Sequence, residues 1–174
     1  MKYTPFLLLL FFLPAIISCK KDKLTKETQN GANTFSCLID GEIYKPCSEA
    51  IIGGANVKPV WGGLYVSNGI TQASIVASCS EGVDWSISIN IGNLVGKGEY
   101  SFSDPSNRAV FTVYKYNTGN YSSSNTGKGK VTITKDDRAN NILSGIFEFE
   151  GVDINNTGKI IMITSGRFDI NYKK

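Results

Sequence analysis

DWSISINI, residues 84–91, is the stretch on which the fold turns. Trp85, Ile87, Ile89 and Ile91 alternate strictly with Ser86, Ser88 and Asn90. Successive side chains of an extended strand point to opposite faces, so this order makes one apolar face and one wet face. No 3.6-residue period runs through it, and a strand covering half a core is the reading that follows.

Working outward, the same alternation appears in KVTIT (130–134), FEFEG (147–151) and RFDINY (167–172). KIIMIT (159–164) is apolar on both faces, which places it in the middle of a sheet rather than at an edge. LYVS (64–67), QASIVAS (72–78) and RAVFTVYKY (108–116) add further strands. Turn formers separate them: Asn68-Gly69, Glu81-Gly82, Gly96-Lys97-Gly98, Ser103-Asp104-Pro105 and Asn155-Asn156-Thr157-Gly158. Short strands between regular turn signals predict an all-β domain, an antiparallel sandwich or barrel-like sandwich. NTGNYSSSNTGKG (117–129) is of low complexity and reads as a mobile loop or hairpin end.

The N-terminus is of another kind. Lys2 precedes an apolar run from Phe6 to Ile17, too short to cross a bilayer as a helix, which takes about 20 residues. A basic start, a short apolar core and small residues make a secretory signal peptide, residues 1–18. Ile16-Ile17-Ser18-Cys19 resembles a bacterial lipobox, in which the cysteine is lipidated after cleavage. That resemblance makes Cys19 a lipid anchor, and two or more acyl chains hold a protein stably on a membrane. Residues 19–32 then read as the lipidated cysteine and a flexible polar tether, and residues 33–174 as a single all-β domain. Outer-membrane attachment is expected, on the cell surface or the periplasmic face, with Lys21-Asp22 partly resembling a surface-export signal.

The net charge of +3 is small and evenly spread, so no nucleic-acid surface is expected. The chain has no histidine. Ser-His-Asp and Cys-His hydrolysis and histidine metal sites are thereby excluded, and no cofactor or metal is expected. Cys37, Cys47 and Cys79 remain in an oxidising compartment, where one disulfide and one leftover thiol are expected. In the hairpin TFSCLI–DG–EIYKP the Asp40-Gly41 turn sets Ile39 against Glu42 and Cys37 against Tyr44. Continued regularly, it would set Cys47 against Thr34, on the other face from Cys37. The pairing stays open, as does the reading in which the thiols are buried and unpaired.

NTFSCLIDGEIYKP, GKGEYSFSDPSN, GKVTITKDD…NILSGIFEFE and ITSGRFDINY, in that order, resemble a family of uncharacterised Bacteroidetes-type lipoproteins. The resemblance spans most of residues 33–173. It implies a secreted, lipid-anchored β domain and no assigned activity.

Several residues are candidates for chemistry. Asp136 and Asp137, between Lys135 and Arg138, could serve as acid and base or hold calcium, but adjacent acids at a turn are ordinarily solvated turn formers. Glu148 and Glu150 share a strand face, as a glycosidase pair could, though such pairs come from different strands lining a cleft. Arg167 and Asp169 share a face and read as a surface ion pair. Tyr114, Tyr116 and Tyr121, with Trp61, form the candidate recognition surface, since aromatic faces beside small polar residues make adaptable contacts. The simpler reading of those tyrosines is sheet residues shielding the core. A lipid-anchored binding module for a glycan, small ligand or protein partner is the expectation. A carboxylate-dependent hydrolase of polysaccharide or peptidoglycan, and a lipocalin-like carrier with an apolar cavity, are the alternatives. Whether the protein is an enzyme is left open, with the balance against.

Overall fold

The computed structural model describes residues 23–47, 50–52, 55–79, 85–113, 119–155 and 157–173. They form β1 (Thr34–Ile39), β2 (Glu42–Tyr44), β3 (Ala50–Ile52), β4 (Ala55–Val57), β5 (Val60–Ser67), β6 (Ile70–Cys79) and β7 (Trp85–Ile91). After these come β8 (Gly98–Ser101), β9 (Arg108–Val113), β10 (Gly119–Ser122), β11 (Gly129–Asp137), β12 (Ile142–Asp153) and β13 (Ile160–Asn171). The single helical turn among them is a 3-10 turn at Ser123–Asn125. One antiparallel sheet runs β2-β1-β13-β12-β10-β9-β7-β6-β5, while β3 and β4 pair only with each other. The all-β, barrel-like expectation holds, in the form of a half-barrel.

The sheet curls so that β5, an edge strand, comes back over β13. Gly62 allows that approach, because a Cβ there would lie 2.5 Å from the Ile170 side chain. The concave face is filled by Phe35, Ile75, Ile87, Ile89, Phe111, Ile163 and Ile170, all buried. Among the described residues, the space in which a lipocalin-like carrier would hold its ligand is taken by these side chains.

DWSISINI behaves as its alternation demands: Trp85, Ile87, Ile89 and Ile91 are buried, and Ser86, Ser88 and Asn90 half-exposed. KIIMIT does lie inside the sheet, between β1 and β12. KIIMIT and RFDINY, read above as two strands, are one. They join through a bulge at Ser165-Gly166, where the register against both β1 and β12 slips. Ser165 takes φ 52°, and Gly166 lies under the Phe147 ring, where a Cβ would come within 2.5 Å of it. A bulge re-aims every later side chain, and this one turns Phe168 and Ile170 into the core.

Strand β12 changes neighbours along its length. Ile142–Phe149 pairs with β11, and Val152-Asp153 with β10. Strands β10 and β11 thus follow one edge of β12 in succession, parted by the 3-10 turn, and β8 extends a side wing from β11. The described residues of the low-complexity stretch, 119–129, are β10, the 3-10 turn and the start of β11; of the two expectations the hairpin end fits, since β10 pairs back on β9, and the mobile loop does not. The buried Ser123 hydroxyl accepts the Ala109 N–H at 2.9 Å, and Thr126 Oγ1 donates to the Glu150 carbonyl at 3.0 Å. Polar composition read as mobility because the hydroxyls' backbone partners lie far away in sequence.

Cys47 and Cys79 form a disulfide, with Cα atoms 4.9 Å apart, and Cys37 is a buried free thiol. The hairpin register is the expected one, Ile39 against Glu42 and Cys37 against Tyr44. Strand β2 ends at Tyr44, so Cys47 never reaches a position opposite Thr34. Burial pushes the Cys37 thiol up to about 12.

Candidate functional site: an aromatic groove on the outer wall

Asn68 and Gly69, both at positive φ (51° and 77°), close the β5–β6 hairpin in two residues and set its register. Trp61, Gly63 and Tyr65 then stand on the convex face, against Val76, Ser74 and Gln72 of β6. One strand further, Ser74 lies beside Asn90 of β7, and Val76 beside Ser88. The result is a floor of short side chains with two aromatic rings along its edge strand.

Trp61 is 44% exposed and Tyr65 54%. The Tyr65 ring folds back along its own strand, so that a Cβ at position 63 would meet its hydroxyl at 2.9 Å and ring carbon Cζ at 3.0 Å. Glycine at 63 leaves the phenol lying flat, and carries the aromatic surface from Tyr65 toward Trp61. Beside it runs a groove of about 360 Å³, lined among others by Trp61, Tyr65, Gln72, Ser74, Asn90 and Ser106. Its far wall is fixed by Asn107, buried, whose Oδ1 accepts the Gly92 N–H at 3.1 Å and whose Nδ2 donates to the Ser101 carbonyl at 3.0 Å. The lining is uncharged, rich in amide and hydroxyl groups, and backed by aromatic faces.

Of the four residues expected to form a recognition surface, Trp61 is exposed in this groove. Tyr114 and Tyr116 lie outside the described residues. Tyr121 is 8% exposed and belongs to the core, stacked on Phe111 with centroids 6.1 Å apart, so it is not available to a ligand in solution. Strand β10 is hydrogen-bonded on both sides, and that pairing turns Tyr121 inward. Tyr65 was missed, although VWGGLYVS carries the signal: counted as one strand from Val60, it puts Trp61 and Tyr65 on one face.

The candidate carboxylates lie outside this groove. Asp136 accepts from the Arg138 guanidinium at 3.1 Å, and Asp137 pairs with Lys135 at 3.4 Å and caps the turn at Asn140. Glu150 pairs with Lys128 at 3.0 Å, while Glu148 is exposed on the same outer face. Among the described residues no group of three or more acids, cysteines or histidines could hold a metal ion. Cys19 and its surroundings lie outside the described residues.

Arg167 and Asp169 are not an ion pair. Arg167 reaches Glu27 at 3.5 Å and the Thr25 carbonyl at 3.2 Å. Asp169 is 1% exposed and accepts five hydrogen bonds, from Thr28 Oγ1 (2.7 Å), Ser144 Oγ (2.8 Å) and the N–H groups of Gly31 (2.9 Å), Asn30 (3.0 Å) and Ala32 (3.2 Å). Burial alone would raise its pKa. Hydrogen bonds led by those from Thr28, Ala32, Ser144 and Gly31 outweigh burial and hold it below the ordinary carboxylate value. Residues 25–32, expected to be free tether, are therefore fastened along the sheet.

A curled antiparallel half-barrel with a packed interior and a neutral aromatic groove on its convex wall is the class these observations define. The model of the family described as Domain of unknown function (DUF6252) matches residues 50–169, and the chain belongs to that family. No curated protein and no solved structure matches it.

Proposed function

We propose that this protein is a lipid-anchored binding module of the bacterial outer membrane, and that the Trp61–Tyr65 groove takes a neutral glycan. The observation that carries the reading is the pair of solvent-facing rings over an uncharged floor of Gln72, Ser74 and Asn90. The C–H faces of a pyranose carry weak positive charge and stack on the negative face of an aromatic ring, while its hydroxyls exchange hydrogen bonds with amides and serines. Large aromatics left in water on a rigid sheet make a recognition surface that loses little side-chain entropy on binding. Support for the anchor is the signal-like segment ahead of Cys19 and the resemblance to Bacteroidetes-type lipoproteins.

The test is titration of the mature protein with soluble β-glucan, xylan, chitin and peptidoglycan oligosaccharides, followed by indole fluorescence and thermal midpoint. Binding by one of these, weakened about tenfold or more in Trp61→Ala and Tyr65→Ala with the midpoint unchanged, is expected. Binding that survives both substitutions would remove the groove from the function.

A further inference from the structure

We infer that the convex face of β12 and β13 around Ile160 and Met162 is the surface this protein lays against a lipid bilayer. The inference rests on the reading of Cys19 as a lipid anchor and adds the orientation that an anchor alone does not supply.

The first observation is the course of the chain. Asn33 Oδ1 accepts the Asn171 N–H, residues 28–32 gather on Asp169, and Thr25 lies at Arg167 and Ser36. Followed backwards, the segment thus climbs the convex face from Asn171 toward Arg167. Beyond Arg167 and Ser36 the next outward residues are Ser165 at the bulge, Thr164 and Leu38, and then Met162 and Ile160. Five residues lie between Cys19 and Thr25, a reach of at most about 22 Å even fully extended. A lipid on Cys19 therefore keeps the Thr25 end of this wall within about 22 Å of the membrane. A tether free from residue 19 to 32 would impose no such closeness.

The second observation is what the wall presents there. Ile160 is 56% exposed and Met162 47%, and Val152, opposite Ile160, is half-exposed. Leu38 and Ile43, paired with each other, extend the apolar surface across β1 and β2. Contiguous exposed aliphatics on an otherwise well-packed sheet mark a surface that is covered in use. Three cations of this wall are balanced in place, Lys128 by Glu150, Lys130 by Glu99 and Arg167 by Glu27. The centre of the contact is thus aliphatic, with Asp40, whose Oδ1 accepts the Met162 N–H at 2.8 Å, Lys159 and the Lys128–Glu150 pair at its rim in the headgroup layer. It also leaves the Trp61 groove clear, since β5 meets β13 through its core-facing side at Gly62 and Ile170 and carries Trp61 on the opposite side.

The full chain, expressed with its own N-terminus and recovered lipidated, is reconstituted on phosphatidylethanolamine vesicles whose acyl chains carry bromine, a contact quencher of indole. Trp61, in the groove, and the buried Trp85 supply the background. Ile160→Trp and, separately, Met162→Trp each add one indole to the proposed face. Bromolipid quenching roughly twofold above wild type in both variants is expected. An added indole no more quenched than Trp61, in protein that carries labelled fatty acid, overturns the docking and leaves the anchor standing. Absence of labelled fatty acid overturns both. A concentration-dependent blue shift insensitive to bromine would assign the face to a second copy of the chain, and would also overturn the inference.

Discussion

Two residues, Gly63 and Asp169, decide what two faces of this sheet can do. At Gly63 the obstacle to a methyl group is the tip of Tyr65, a side chain that can swing away without disturbing the core. Gly63→Ala should therefore keep its stability within about 0.5 kcal/mol while glycan affinity falls, because the ring is displaced rather than removed. Equal affinity in titration calorimetry would show that the flat pose of Tyr65 is irrelevant. Asp169 presents the opposite case, a carboxylate whose five donors leave it no alternative partner. A carboxyl held below its unfolded value takes up its proton later in the native state. Its stabilisation is complete above the unfolded carboxylate pKa, about 4, and drains away as the pH falls through the native value. Asp169→Ala, which strands several buried donors, should cost about 3 kcal/mol and speed hydrogen exchange at Asn30, Gly31 and Ala32. Unchanged exchange at those amides would separate Asp169 from the seating of the N-terminal segment.

At the scale of elements, strand β13 carries the most consequence for its length. It holds β1 on one side and β12 on the other, and its bulge at Ser165 adjusts both ladders at once. The Phe147 ring leaves no room for a side chain at Gly166. Gly166→Ala should lower stability by about 2 kcal/mol in urea unfolding, since the ring is part of the core and cannot swing into solvent. A neutral result would mean that the bulge relaxes more freely than its two-sided pairing implies. The alternation in ITSGRFDINY was legible and the continuity was not, because a bulge breaks the period-2 signal by which one strand is recognised. Strand β8 escaped for a related reason. GEYS is four residues long and shows no alternation beyond Tyr100, so its pairing with β11 left no mark in its own composition.

For the whole molecule, the disulfide ties the approach to the β3–β4 ribbon to the far end of β6. Closing a loop of 32 residues' separation removes unfolded-state entropy worth about 3–4 kcal/mol in the chain-entropy account. Double substitution Cys47→Ser with Cys79→Ser should lower the thermal midpoint by several degrees. Cys37 should resist alkylation at neutral pH in the folded state and react only after denaturation, its thiol being buried and hard to ionise. Labelling of native protein at Cys37 would show that the hairpin opens readily.

Pattern along the chain was enough for the fold class, the strand faces and the β1–β2 register, because alternation and turn chemistry are local and act through neighbours two residues apart. What the tertiary structure alone decided is which outward residues meet. Tyr121 is core because two strands flank it, Trp61 and Tyr65 gain their floor from Ser74 of β6 and Asn90 of β7, and Asp169 captures a segment nearly 140 positions away in the chain. Contacts of that kind are set by sheet order and curvature. No single stretch of the chain carries either.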